Sequence, residues 1–352
     1  MASHITLLAG PDALQLLRER GLRGEDVDVV PGASGGPKWL VLAGLDRALF
    51  GGLFQNRTRP LHLIGSSIGS WRLACLSQKD PVLALRRFEA AYIDQRYPPK
   101  PSPAQVTEQC ERILDALLGD EGEADILQHP WARLHVITAL CRGMAGLEDT
   151  RAQLLGFLLC GLGNLVSRRT LGLHLERVVF HAAGETSPFA GLKDLPSTHV
   201  PLTRENLRLA LLASGSIPMV LRGVRIPGAP AGVFRDGGIV DYHLDLDFGS
   251  GSGLVLYPHF YPYVVPGWFD KALRWRHTRP GNFRRALLIA PSPELVARLP
   301  GGRIPDQGDF EQLKDVERMR AWNQVVAESE RMGDEFLELM ATGRIADHVR
   351  PL

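Results

Sequence analysis

The sequence predicts an α/β sandwich, on three observations. Short apolar runs suited to strands recur at 27–30, 61–64, 134–141, 177–182, 253–257 and 286–289. Helical segments are interleaved with them, and alternation of this kind is the signature of a sheet covered by helices. Two of the runs, 27–30 and 61–64, pass through a glycine-rich turn straight into a helical stretch.

In chain order, Pro11 opens a short helix over 11–20 that Gly21 stops, so residues 1–23 read as an N-terminal helical extension. Asp80-Pro81 opens a helix carrying Leu85, Phe88 and Tyr92. Ser102-Pro103 opens another, carrying Val106, Cys110, Ile113 and Leu117 before Gly119. Both read as amphipathic packing helices. Residues 153–166 are almost all apolar but fall short of the roughly 20 needed to cross a bilayer, and Arg151, Arg168 and Arg169 bracket them. A helix apolar on most faces is expected to be buried, so core is favoured there over a lid. A closing helix is expected over 310–340, with 261–352 packed on a main domain spanning 24–260.

Three stretches carry chemistry. A serine hydroxyl is a poor nucleophile at neutral pH, and needs a base for its proton and donors for the oxyanion it creates. Gly65-Ser66-Ser67-Ile68-Gly69 lies between a strand and a helix, where flanking glycines allow a turn tight enough to lift the Ser67 hydroxyl out of the sheet. Gly35-Gly36-Pro37-Lys38 offers free backbone N–H groups and a positive charge. Asp236-Gly237-Gly238 ends the run 232–235 with a carboxylate among small residues; alone, it reads as an ordinary Asp-Gly turn. The Gly-x-Ser-x-Gly pattern also occurs at Gly32-Ala33-Ser34-Gly35-Gly36, which makes Ser34 a rival to Ser67. Nucleotide binding fits badly, because Pro37 separates Gly36 from Lys38 and Trp39 stands where a Walker loop has its hydroxyl.

Together with Ala213-Ser214-Gly215-Ser216-Ile217-Pro218, these stretches resemble, in order, the motifs of the patatin-like phospholipase family over roughly residues 24–260. The resemblance implies a three-layer α/β/α sandwich around a central, mostly parallel sheet. It also implies a lipid acyl hydrolase with Ser67 as nucleophile, Asp236 as the base of a Ser–Asp dyad, Gly65 and Gly69 in the elbow, and Gly35, Gly36 and Lys38 at the oxyanion. The expected substrate is a phospholipid, lysophospholipid or other lipid ester, cleaved without a cofactor. Two departures, Trp39 after the basic position and Asp241-Tyr242-His243 after Asp-Gly-Gly, bear on the shape of the pocket.

Two other readings stay open: a Ser-His-Asp esterase relayed through His243 or His259, and a non-catalytic lipid-binding protein on the same scaffold. The 40 basic and 39 acidic residues nearly cancel, which gives no reason to expect nucleic acid. The segment 257–285 gathers Tyr257, Phe260, Tyr261, Tyr263, Trp268, Phe269 and Trp275 with Lys271, Arg274, Arg276, Arg279, Arg284 and Arg285. It reads either as a peripheral membrane contact or as a surface loop around packed aromatic rings. Cys75, Cys110, Cys141 and Cys160 stand in apolar contexts as free thiols, the 11 histidines show no zinc spacing, and residues 1–9 lack the charged start and apolar core of a secretory signal. A cytoplasmic protein is the expectation.

Overall fold

The structure, a computed structural model, describes residues 3–184, 187–249, 251–277 and 280–352; Met1, Ala2 and Arg279 lie outside these. Among the described residues, ten strands form one sheet: β1 (Ile5–Ala9), β2 (Val27–Gly32), β3 (Leu61–Ser66), β4 (Ala132–Cys141), β5 (Leu175–His181), β6 (Ser197–Pro201), β7 (Val233–Asp236), β8 (Leu254–Pro258), β9 (Ala286–Pro291) and β10 (Val349–Pro351). Their order is β10-β1-β9-β8-β2-β3-β4-β5-β6, with β7 also paired to β4. The five central strands, β9 to β4, run parallel. Antiparallel pairing occurs at β1–β9, β4–β5 and β4–β7. Every residue of β8 and β9 is buried, as their unbroken apolar sequences require of strands covered on both faces. The architecture is the expected α/β one, a mostly parallel sheet between helical layers.

The packing helices begin where their caps predict. Asp80 accepts the Leu83 N–H at 2.9 Å ahead of Pro81–Ile93, and Ser102 with Gln105 forms a capping box ahead of Pro103–Leu118. Against the expectation of one closing helix, extended backbone at Leu313 and Lys314 separates Asp309–Gln312 from the long helix Asp315–Ala341. The long helix lies so close to Ala43–Ala48 that a Cβ on Gly44 would fall 2.3 Å from the Ser329 carbonyl oxygen.

Three expectations need correction. The first 23 residues are more than a helical extension, since β1 inserts between β9 and β10 with Ile5, Leu7 and Ala9 buried. The region 261–352 likewise does more than pack on the main body, because it supplies β9 and β10 to the same sheet. The apolar stretch does form a helix, Thr150–Val166, but one lying on the surface. Gln153, Gly156, Phe157, Cys160 and Asn164 are its buried stripe, while Leu154, Leu158 and Leu162 are each more than half exposed. A helix with no polar face carries no sequence information about which side turns inward. Among the described residues, no helix is long and apolar enough to cross a membrane.

Candidate active site

β3 ends at Ser66, and the elbow helix Ile68–Leu76 begins two residues later. Between them Ser67 holds φ 53° and ψ −133°, a conformation that costs a non-glycine residue about 1–3 kcal/mol and is kept only where the surroundings impose it. The elbow glycines are steric necessities. A Cβ on Gly69 would lie 2.0 Å from the Gly32 carbonyl oxygen, and one on Gly65 would lie 2.6 Å from the Ser70 nitrogen.

Ser67 Oγ donates a 2.7 Å hydrogen bond to Asp236 Oδ2, and the Gly238 N–H donates to Asp236 Oδ1 at 2.7 Å. Both side chains are buried. Burial pushes the Asp236 carboxyl up to about 6, against the downward pull of these two hydrogen bonds and of the Lys271 charge. The Ala213–Pro218 stretch braces both partners. Ser214 Oγ accepts the Ser67 N–H at 2.9 Å and donates to the Ile137 carbonyl at 2.6 Å, while the Ser216 carbonyl accepts the Asp236 N–H at 3.0 Å.

Gly35 and Gly36 lie on the rim of the same cavity, which has a volume of about 310 Å³. Gly36 opens the tight turn Gly36–Leu42, so both N–H groups precede its first internal hydrogen bond, from the Lys38 N–H to the Gly35 carbonyl at 3.5 Å. Lys38 points into the cavity, and burial pulls its pKa down. Trp39 turns the other way and stacks on Phe88 with ring centroids 4.4 Å apart, so this departure leaves the pocket untouched. Ser34 also reaches the cavity, but Asp236 hydrogen-bonds Ser67. Ser34 instead crowds Gly238, where an added Cβ would lie 2.3 Å from its Oγ.

The departure at Asp241 has a structural account. Its fully buried carboxylate accepts from Arg177 Nε at 2.6 Å and from Arg168 at 3.1 Å, and its carbonyl accepts the Ser66 hydroxyl at 2.6 Å. It therefore ties the strand end before Ser67 to the base of the Thr150–Val166 helix.

Sequence reasoning missed several groups that share the cavity. Lys271 stands over the Tyr242 ring, 4.2 Å from its centroid, and burial pulls its pKa down to about 8 against the Asp236 charge. In the sequence it is one of many basic residues in 257–285. That segment is mixed: Tyr257 and Phe260 are core, Trp268 and Phe269 line the cavity, and Trp275 is 72 % exposed. Phe157 and Met219 add apolar wall, and Asp306 and Gln307 arrive from a loop near the C-terminal helix. The sequence held no local signal for these, since none belongs to a motif.

Neither histidine of the relay reading reaches the cavity. His243 and His259 are fully buried; His243 Nδ1 accepts the Val265 N–H at 3.0 Å, and His259 Nδ1 lies 2.7 Å from the carbonyl oxygen of Tyr261 and 2.9 Å from its nitrogen. Burial pulls His259 down to about 3 and His243 well below the usual imidazole range, so both are held neutral. Among the described residues, no cluster of three or more His, Cys, Asp or Glu side chains could hold a metal ion. The arrangement supplies a hydroxyl, a desolvated base, backbone donors with a cation, and an apolar wall. No known family model matches this chain, and no curated protein is similar to it in sequence.

Proposed function

We propose that the chain is a serine acyl hydrolase of the patatin-like kind, acting on a phospholipid, lysophospholipid or related lipid ester through a Ser67–Asp236 dyad. The observation that carries this reading is the 2.7 Å hydrogen bond from a hydroxyl on a strained strand-to-helix turn to a buried carboxylate. A carboxylate with its pKa pushed up to about 6 is a competent proton acceptor near neutral pH.

In this mechanism Ser67 Oγ attacks the ester carbonyl carbon as Asp236 Oδ2 takes its proton. The carbonyl oxygen gains negative charge against the Gly35 and Gly36 N–H groups, with Lys38 adding a positive field. Collapse breaks the carbon–oxygen bond to the alcohol, which leaves with the proton from Asp236, and the acyl group stays on Ser67. Water then attacks the acyl carbon as Asp236 takes its proton, and the carbon–Oγ bond breaks with that proton passing to Ser67 Oγ, releasing the fatty acid and restoring the serine. Phe157, Met219 and Phe269 would receive the acyl chain.

Peptide mapping after reaction with a fluorophosphonate, which adds stably only to an activated serine, tests this reading. An adduct on Ser67 that is lost in Asp236→Asn and kept in Ser34→Ala is expected. An adduct on Ser34, or none, would refute it.

A further inference from the structure

We propose that the Thr150–Val166 helix is a membrane-docking face that seats the cavity mouth on a phospholipid surface; the choice of a lipid occupant rests on the acyl-hydrolase reading above. The helix shows two faces that its sequence conceals. At 100° per residue, Leu154, Leu155, Leu158, Leu162, Leu165 and Val166 fall within an arc of about 120°, and all are 46–84 % exposed. The opposite stripe is fastened to the cavity's two walls. Gln153 Oε1 accepts the Met219 N–H at 2.7 Å, and Asn164 Nδ2 donates to Asp270 at 2.8 Å, in the turn that carries Trp268 and Phe269. Phe157 stacks near Phe269, and both line the cavity. The helix that carries the leucine face therefore also supplies a wall of the cavity, through Phe157.

Charge selects the occupant. No acidic residue lies between Thr150 and Val166, and of the two acids just before the helix Asp149 caps it by accepting the Ala152 N–H while Glu148 pairs with Arg235. Arg151 is exposed on the leucine side of the first turn, and Arg169 is exposed just past the last. Both suit lipid phosphates, as the half-exposed Trp268 ring suits headgroup depth. At 17 residues the helix is about 25 Å long, too short to span a bilayer but suited to lying in its surface.

The test uses full-length Ser67→Ala protein, which cannot consume the lipid, co-sedimented with vesicles of phosphatidylcholine and phosphatidylglycerol. The pair Leu158→Asp/Leu162→Asp should weaken vesicle binding at least tenfold. Placed in the otherwise unaltered enzyme, it should leave hydrolysis of the soluble ester p-nitrophenyl butyrate and the circular-dichroism melt unchanged. Leu158→Trp provides a reading without added charge, and its emission should shift to the blue on adding vesicles. Undiminished binding by the aspartate pair, no blue shift, or no vesicle binding by the parent protein would overturn the proposal. So would a dimer dissolved by the aspartate pair with vesicle binding intact, which would assign the face to a second copy of the chain. Hydrolysis of soluble ester with no vesicle binding sinks the docking face alone; leucine-dependent vesicle binding with no ester cleavage and no serine adduct sinks the hydrolase alone.

Discussion

Ser66 and Asp236 occupy consecutive rungs on the same edge of β4: Ser66 pairs with Ile137, and Asp236 pairs with Thr138. β3 runs parallel to β4 and β7 runs antiparallel to it, so the two strands approach head to head along one edge and stop where they meet. Ser67 follows directly from one strand end and Asp236 is the other. The gap between them is set by backbone register, which makes the Ser67–Asp236 hydrogen bond a product of sheet pairing and spares it reliance on flexible loops. Gly237 completes the join, since a Cβ there would lie 2.1 Å from the Ile137 carbonyl oxygen.

Asp236 should trade stability for function. Its pKa is raised from 3.8 to about 6 on folding, so the folded protein holds that proton more tightly than the unfolded chain. Stability from this group is fully present below about 3.8 and is lost as pH rises through about 6, a cost of at most about 3 kcal/mol at pH 7. Asp236→Asn should therefore raise the Tm at pH 7.5 and give no gain at pH 4, while lowering kcat by roughly 10²–10⁴-fold. Equal melting shifts at both pH values would contradict this.

The pH–rate profile should be bell-shaped. Asp236 must be ionised to accept the serine proton, so kcat/KM rises with pH through about 6. Lys271, with its pKa lowered to about 8, loses its charge beside the site at higher pH, and the rate falls. Lys271→Met should abolish the alkaline limb and move the acid limb upward, because a charge that holds the Asp236 pKa down is gone. A profile unchanged in this variant would separate Lys271 from the chemistry.

Ser214 should act through geometry. Ser214→Ala leaves the buried Ser67 N–H without its acceptor, at a cost of about 1–3 kcal/mol, and relaxes a backbone that Ser67 holds at positive φ. The expected result is a lower Tm and a slower fluorophosphonate reaction at Ser67, with the adduct still on that residue. An unaltered labelling rate would show that the elbow needs no brace.

Gly69 tests the closeness of sheet and elbow helix. An added Cβ meets the Gly32 carbonyl oxygen at 2.0 Å, and backbone cannot step aside as a flexible side chain would. Gly69→Ala should cost about 1–3 kcal/mol through overpacking, read as a lower urea midpoint with an unchanged slope. Little change in the midpoint would mean that β2 and the elbow can separate without penalty.

The conformations legible in the sequence are local ones. Glycines at 65 and 69, a serine between them, capping residues at 80 and 102, and unbroken apolar runs each specify a backbone conformation within a few residues of themselves, because sterics and capping hydrogen bonds act at that range. Hence the elbow, the Asp-Gly-Gly turn and most strands were legible. Tertiary structure decided what depends on distant partners. The five-residue β1 and three-residue β10 exist by pairing with each other and with β9, and so short a run has little periodicity to betray it. Lys271, Asp306 and Gln307 reach the cavity through packing of remote loops, with no motif of their own. The apolar helix misled most, since its residues lack the contrast between faces that encodes burial, and only its neighbours decided which leucines met solvent.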